Sequence, residues 1–238
     1  MQKIVELRSA VALVGRFPAL AGVDLDVHAG EVVLLSGHNG AGKSTLLRMC
    51  AGLVPIASGS VIVLGEDLRR NRSAVRRRVG LLGHQTFLYE DLSVIENLDF
   101  WSWATGGEKD DGRAALDRLG VAPRLHEVGV RSLSAGQRRR VSFAAMICRR
   151  PELWLLDEPH AGLDSAGRDT VDDLVNEAAE RGATVLVVSH ELDRAERIAT
   201  RHVTIDAGVV QAGVVDAGVV QAGVATCQPD GAGPTDDS

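Results

Sequence analysis

The chain has 238 residues, enough for one large domain or a domain with a subdomain. With 45% hydrophobic and 24% charged residues, it fits neither a disordered nor a fibrous protein. The 26 Lys and Arg against 32 Asp and Glu leave a net charge of −6, which disfavours a generally basic nucleic-acid binder but not a local basic patch.

In chain order, the first ten residues lack the apolar run of a signal peptide. Val23, Leu25 and Val27 alternate with polar residues, and Gly59–Leu64 is a second β-like run; both read as half-exposed antiparallel strands. Four short apolar runs, Glu31–Ser36, Val79–Leu82, Leu153–Leu156 and Thr184–Val188, read as buried strands. Longer helical patterns separate them, so a mostly parallel sheet covered on both faces is expected. Residues 87–149 are helical in pattern. Ser93-Val-Ile-Glu96 is a capping box, Val94, Leu98 and Trp101 then share one face, and Gly106–Gly112 reads as a polar loop.

Residues 207–226 repeat a five-residue unit, AGVVQ or a close variant, four times. The odd period would alternate faces in an extended chain and matches no usual solenoid. A terminal strand plus a tandem duplication is the expectation, with the strand using the first one or two repeats. Residues 228–238 are polar and expected to be disordered. Cys50, Cys148 and Cys227 are too scattered for a disulfide scaffold or a zinc site and read as reduced thiols. No apolar stretch reaches the ~18 residues of a membrane span. If the protein serves a membrane, another chain is expected to cross it.

The chemistry begins at Gly37-His-Asn-Gly-Ala-Gly42-Lys43-Ser44, which fits G-x-x-x-x-G-K-[ST]. An apolar strand precedes it and a helix, Thr45–Leu53, is expected to follow. Gly37, Gly40 and Gly42 let backbone amides close around phosphate oxygens, with His38, Asn39 and Ala41 between them. Lys43 supplies positive charge for the β and γ phosphates, Ser44 offers a hydroxyl to Mg2+, and Thr45 continues the cradle. A second site element is the strand Leu153–Leu156 ending in Asp157 and Glu158. Asp157 can hold Mg2+, directly or through water, and Glu158 can take a proton from an attacking water.

A phosphate loop alone also fits kinases and GTPases. Leu133-Ser134-Ala135-Gly136-Gln137 resembles the LSGGQ signature of ABC ATPases, with Ala135 in place of one glycine. Gln85 resembles the family's Q-loop glutamine, Ala161–Asp164 its D-loop, and His190 its switch histidine. These landmarks span about residues 5–214 in family order. The resemblance implies an α/β fold: a P-loop NTPase of the ABC ATPase type, with a mostly parallel core sheet, an N-terminal antiparallel β-subdomain and a helical signature subdomain. The expected divisions are 1–86 and 150–214 for the core, 87–149 for the helical part and 215–238 for the repeat tail.

It further implies ATP and Mg2+ as ligands, with Gln85 reaching the metal or the attacking water and His190 either polarising the γ-phosphate or orienting water and Glu158. Ser134, Gly136 and Gln137 would contact the nucleotide of a second, similar domain, in a homodimer or a pairing with a related chain. In this picture Ser134 caps its helix and Gly136 lets the backbone approach a γ-phosphate. Arg138–Arg140, next on that helix, read more readily as a solvated basic face than as phosphate contacts. Phe17 is the only aromatic before residue 87 and is expected to stack on adenine, with core packing as the competing role. His38, His84 and His160 show no ligand spacing for a metal or haem.

Five of the eight aromatics, Phe87, Tyr89, Phe100, Trp101 and Trp103, follow Gln85 closely. Transport members of the family receive a helix of the membrane permease there, and concentrated aromatics suit such an interface. Some of the five are expected to build the helical core instead. Residues 83–98, 133–144 and 153–159 look most like the haem-exporter, cytochrome-c-maturation type of ATPase; drug-efflux ATPases share much of this pattern. A peripheral position on the cytoplasmic side of the cell membrane follows. A non-transport ABC ATPase would carry two motif sets or long insertions, and the chain has neither. Nucleic acid is not an expected partner.

Overall fold

The computed structural model describes residues 1–83, 85–105, 109–211 and 215–216. Two sheets organise them. The first is antiparallel and contains β1 (Lys3–Val14), β2 (Phe17–His28), β4 (Ser58–Val63) and β5 (Glu66–Asp67), in the order β2-β1-β4-β5. β1 and β2 form a hairpin around Gly15 and Arg16, with Val14 opposite Phe17. Gly15 has φ +62, as a two-residue hairpin turn requires. In β1 the buried positions change parity, from Val5 and Leu7 to Ala10 and Ala12. The register shifts between them, at Ser9 with φ +44, so a bulge returns the strand's apolar side to the core.

The second sheet holds the parallel strands β3 (Val32–Ser36), β6 (Val79–Leu82), β7 (Leu153–Asp157), β8 (Thr184–Val188) and β9 (Arg201–Asp206). Their spatial order is β9-β3-β8-β7-β6. β3, β7 and β8 each alternate between two cores. Val32, Leu34, Trp154, Leu156, Val185 and Val187 face one, while Val33, Leu35, Leu153, Leu155, Leu186 and Val188 face the other. A fully buried leucine such as Leu34 or Leu35 contributes about 1.5–3 kcal/mol over an exposed one.

The helix α1 (Lys43–Cys50) packs Leu46, Leu47 and Met49 between the two sheets. On the other face lie α2 (Val94–Thr105), α3 (Lys109–Arg118), α4 (Ala135–Ile147), α5 (Ser165–Glu180) and α6 (Leu192–Ile198). Arg118 on α3 makes a bidentate pair with Glu177 on α5, at 2.9 and 2.6 Å, tying the helical part to the core.

Several elements differ from expectation. α1 starts at Lys43, within the phosphate loop, and ends at Cys50. α3 begins at Lys109, so the segment read as a loop is helical from there; residues 106–108 lie outside the described residues. The Ser93 box forms as read: Ser93 N donates to Glu96 at 2.7 Å and Glu96 N to Ser93 Oγ at 3.3 Å.

The last parallel strand, β9, precedes the repeats rather than using them. The first two repeats instead supply antiparallel partners to it: β10 (Val209–Val210) pairs with Ile205 and Asp206, and β11 (Val215–Asp216) with Arg201 and His202. The remaining tail, including the segment expected to be disordered, lies outside the described residues.

Burial pushes the Cys50 thiol up to about 12. Cys50 is therefore expected to resist iodoacetamide at pH 8 in the folded protein and to react after denaturation, as read by mass spectrometry of its peptide. Ready native labelling would contradict its placement between the sheets.

Candidate functional site

The site lies where β3 and β7 end. β3 leads into the phosphate loop, and the loop into α1. Gly42, the residue before α1, has φ +104, and a Cβ there would stand 2.4 Å from Ala19 O on β2. Only glycine satisfies both conditions. α1 has no side-chain cap and no acid in its first turn, so its leading amides and positive dipole end suit an anion. Lys43 is buried and its Nζ donates to Gly37 O at 2.7 Å and His38 O at 2.9 Å. An ammonium has three N–H groups, so one remains for a phosphate oxygen.

β7 delivers the two acids. Asp157 is its last residue; Glu158 follows with φ +52, a left-handed conformation that costs a non-glycine residue about 1–3 kcal/mol. Two bonds hold it there. Glu158 N donates to Val188 O at 2.9 Å, and Arg139 Nη2 donates to Glu158 O at 2.5 Å. The carboxylate then meets His190, whose backbone N donates to Oε2 at 3.1 Å and whose Nε2 lies 3.4 Å from Oε1. Oε1 is buried and has no hydrogen-bond partner within the protein, as befits an acceptor kept for a bound molecule.

One pocket gathers these groups. Asn39, Gly40, Gly42, Lys43, Ser44 and Thr45 line it from the loop and α1, and Asp157, Glu158 and His190 from the strand ends. Ala19 and Val188 also line it. Neither is legible in the sequence, because an apolar residue of a distant strand carries no local signal. Gly37, His38 and Ala41 frame the loop instead: Ala41 N donates to His38 O at 3.1 Å, and His38 Nε2 sits 3.0 Å from Asp206.

A hydroxyl at Ser44 and a carboxylate at Asp157 give the pocket two oxygen donors. That chemistry fits Mg2+ beside a nucleoside triphosphate.

The other expected residues stand off the pocket. Phe17, at the hairpin tip, is 79% exposed, which removes core packing as its role. Gln85 is exposed, three residues beyond β6. Ser134 caps α4: its Oγ accepts from Gln137 N at 3.2 Å, and Gln137 Oε1 accepts from Ser134 N at 2.9 Å. A Cβ on Gly136 would lie 2.7 Å from Gly162 O, so the D-loop of the same chain already demands a glycine there.

The solvated basic face expected for Arg138–Arg140 is not observed. Arg139 is buried against Gly83 and the β7 end, Arg138 donates to Leu133 O, and Arg140 pairs with Asp164 at 2.5 Å. Asp164 caps α5 through Gly167 N; that amide, then Arg140, hold its carboxyl below the usual carboxylate range. His160 is buried on Asp172 at 2.8 Å, and His84 lies outside the described residues.

Of the five aromatics, Trp101 packs against the helical core, under Arg149 at 4.9 Å. Phe87, Tyr89 and Trp103 are exposed. Tyr89 meets Phe100 edge-on at 4.9 Å, and buried Asn97 holds its backbone through Tyr89 N at 2.7 Å and Tyr89 O at 3.0 Å.

This fold and pocket define a P-loop nucleoside triphosphatase of the ATP-binding cassette type. The model of the ABC transporter family matches residues 20–161, and the chain belongs to that family. It is similar to the cytochrome c biogenesis ATP-binding export protein CcmA of Bradyrhizobium diazoefficiens, at 37% identity over 77% of this chain and 90% of the relative. It is also similar to the glutamine transport ATP-binding protein GlnQ of Escherichia coli K12, at 34% identity over 86% and 88%.

Its fold matches a dimeric ATP-binding cassette solved in a post-hydrolysis state with ADP and phosphate, at a TM-score of 0.82 and 24% identity over 90% of this chain and 99% of that one. The protein is an ATP-binding, ATP-hydrolysing subunit of an ABC transporter. Among the described residues, no helix is long and apolar enough to cross a membrane.

Proposed function

We propose that this subunit drives a separate membrane permease from the cytoplasmic face of the membrane, as one of two similar ATPase domains that close on ATP. The observation that carries this reading is the convergence of Lys43, Ser44, Asp157, Glu158 and His190 on one pocket. The loop amides, Lys43 and Thr45 bind the phosphates. Ser44 and Asp157, joined by Gln85 on closure, would hold Mg2+, which supplies positive charge to the β and γ oxygens. Glu158 accepts the proton of the attacking water, and His190 orients that carboxylate. Phe17 stacks on adenine. Ser134, Gly136 and Gln137 face the partner domain's nucleotide.

The permease docks on the exposed aromatics between Phe87 and Trp103. Tyr89 is the best anchor, because Asn97 fixes its backbone while half its surface is open; a preorganised anchor loses little entropy on binding. Tyr89→Ala is expected to weaken permease binding by about 1–3 kcal/mol in pull-down titrations. Basal ATPase of the isolated subunit should persist, because no phosphate or water contact is touched. Intact permease binding with lost basal activity would make the segment part of the catalytic core.

The cargo reading is haem export for cytochrome c maturation, supported by the similarity to CcmA. Deleting the gene should abolish haem staining of c-type cytochromes in the host. Normal staining would favour the second reading, export or import of another small molecule, which the comparable similarity to GlnQ supports.

A further inference from the structure

Arg139 belongs to α4, the helix that begins with the signature residues, yet its side chain leaves that helix for the catalytic strand. It is 9% exposed. Its Nη1 donates to Gly83 O at 2.7 Å, and its Nη2 to Asp157 O at 2.7 Å and Glu158 O at 2.5 Å. Gly83 directly follows β6 and stands two residues before Gln85. One guanidinium therefore draws together three carbonyls from two strand ends, with the signature helix as the third element.

The electrostatics explain why a cation is there. Three carbonyl dipoles converge with their negative ends together, and the Asp157 and Glu158 carboxylates lie nearby. An apolar side chain would leave that convergence uncompensated and its acceptors buried without donors, and an amide would supply donors but no charge. Burial alone pulls the guanidinium's affinity for its proton down, and the two carboxylates oppose that pull. A planar fork reaches several carbonyls at fixed angles, which a lysine ammonium on a flexible stem does not.

The geometry also explains what is held. Glu158 adopts φ +52 directly before Pro159, and a residue before proline is confined to few conformations. The Val188 O contact fixes the peptide on one side of Glu158, and Arg139 fixes the peptide on the other. With both planes set, the Cα–Cβ bond of Glu158 is aimed, and His190 N, donating to Oε2 at 3.1 Å, holds the carboxylate at the far end.

We infer that Arg139 is a positioning residue for ATP hydrolysis: a buried clamp that sets the backbone of Glu158 and joins it to the strand end before Gln85 and to the signature helix. This rests on the reading of Glu158 as the proton acceptor.

The test is steady-state ATPase and nucleotide binding on Arg139→Gln and Arg139→Lys, alone and combined with Glu158→Gln. Arg139→Gln should lower kcat by about 10–100-fold while KM and the Kd of a non-hydrolysable ATP analogue stay within about 2-fold. Arg139→Lys should recover part of the loss, since the buried charge survives. On the Glu158→Gln background, Arg139→Gln should cost less than about 2-fold more, because two residues acting as one unit are not additive.

If Arg139→Gln does not fold, Arg139→Lys carries the same comparison, with a loss of about 3–10-fold confined to kcat. Unchanged kcat in the folded variants, an equal loss on both backgrounds, or a loss shared by KM overturns the inference. Normal turnover by Glu158→Gln alone overturns the reading of Glu158 and this inference with it. Normal turnover by Arg139→Gln beside an inactive Glu158→Gln overturns this inference alone.

Discussion

A Glu158→Gln protein is expected to bind ATP normally and to hydrolyse it at least about 100-fold more slowly, the effect of losing a general base. The amide keeps the length and shape of the side chain and can still accept from His190 N. It cannot take a proton from water. Because the phosphate loop is untouched, ATP remains bound, and two subunits should accumulate in a closed dimer that hydrolysis would otherwise open. Gel filtration with ATP and Mg2+ reads the dimer, and phosphate release reads the turnover. A Glu158→Gln protein that stays monomeric and turns over at the normal rate would remove Glu158 from the proton-transfer role.

Lys43→Ala should fail at the earlier step. Its Nζ bridges Gly37 O and His38 O, so it supports the loop from within as well as facing the phosphates. The substitution removes the loop's own cation beside the phosphates and leaves two carbonyls without that donor. A hydrogen bond to a charged group is worth about 1.5–3 kcal/mol, so losing the phosphate contact and the loop's shape together should weaken ATP binding by about 100-fold or more. Equilibrium titration with a fluorescent ATP analogue measures this, with circular dichroism to confirm that the variant keeps its overall secondary structure. Binding within a few fold of normal would mean that the backbone amides and helix dipole alone carry the phosphates.

The two substitutions separate binding from hydrolysis because the fold keeps the two functions on different strands. Lys43 follows β3, and Glu158 follows β7. β8 lies between those strands, and its Val188 carbonyl anchors Glu158. The pocket exists only because the central strands are parallel and end on the same side.

The features legible along the chain are local. The phosphate loop needs glycines and a lysine in fixed order, so it is legible as a string. The acids at a strand end, the Ser93 capping box, the Ser134 cap, and the buried strands from Val79, Leu153 and Thr184 are likewise patterns of neighbours along the chain. Side chains that act across the fold were not legible. Ala19 reaches the pocket because β2 runs beside the loop, and nothing near residue 19 announces it. The Ser9 bulge reverses the face of β1, which alternation cannot foresee. β9 was hidden by charged and polar residues, Arg201, His202 and Asp206, at a sheet position flanked by edge pieces from the repeats.

Arg139 is the clearest case. In the sequence it is the middle of three arginines, and a run of charges on a helix ordinarily faces water. Tertiary structure decided otherwise, because Gly83, Asp157 and Glu158, up to 56 residues away along the chain, bring three carbonyl oxygens to one point. A buried convergence of dipoles creates a demand for positive charge that only the folded arrangement contains.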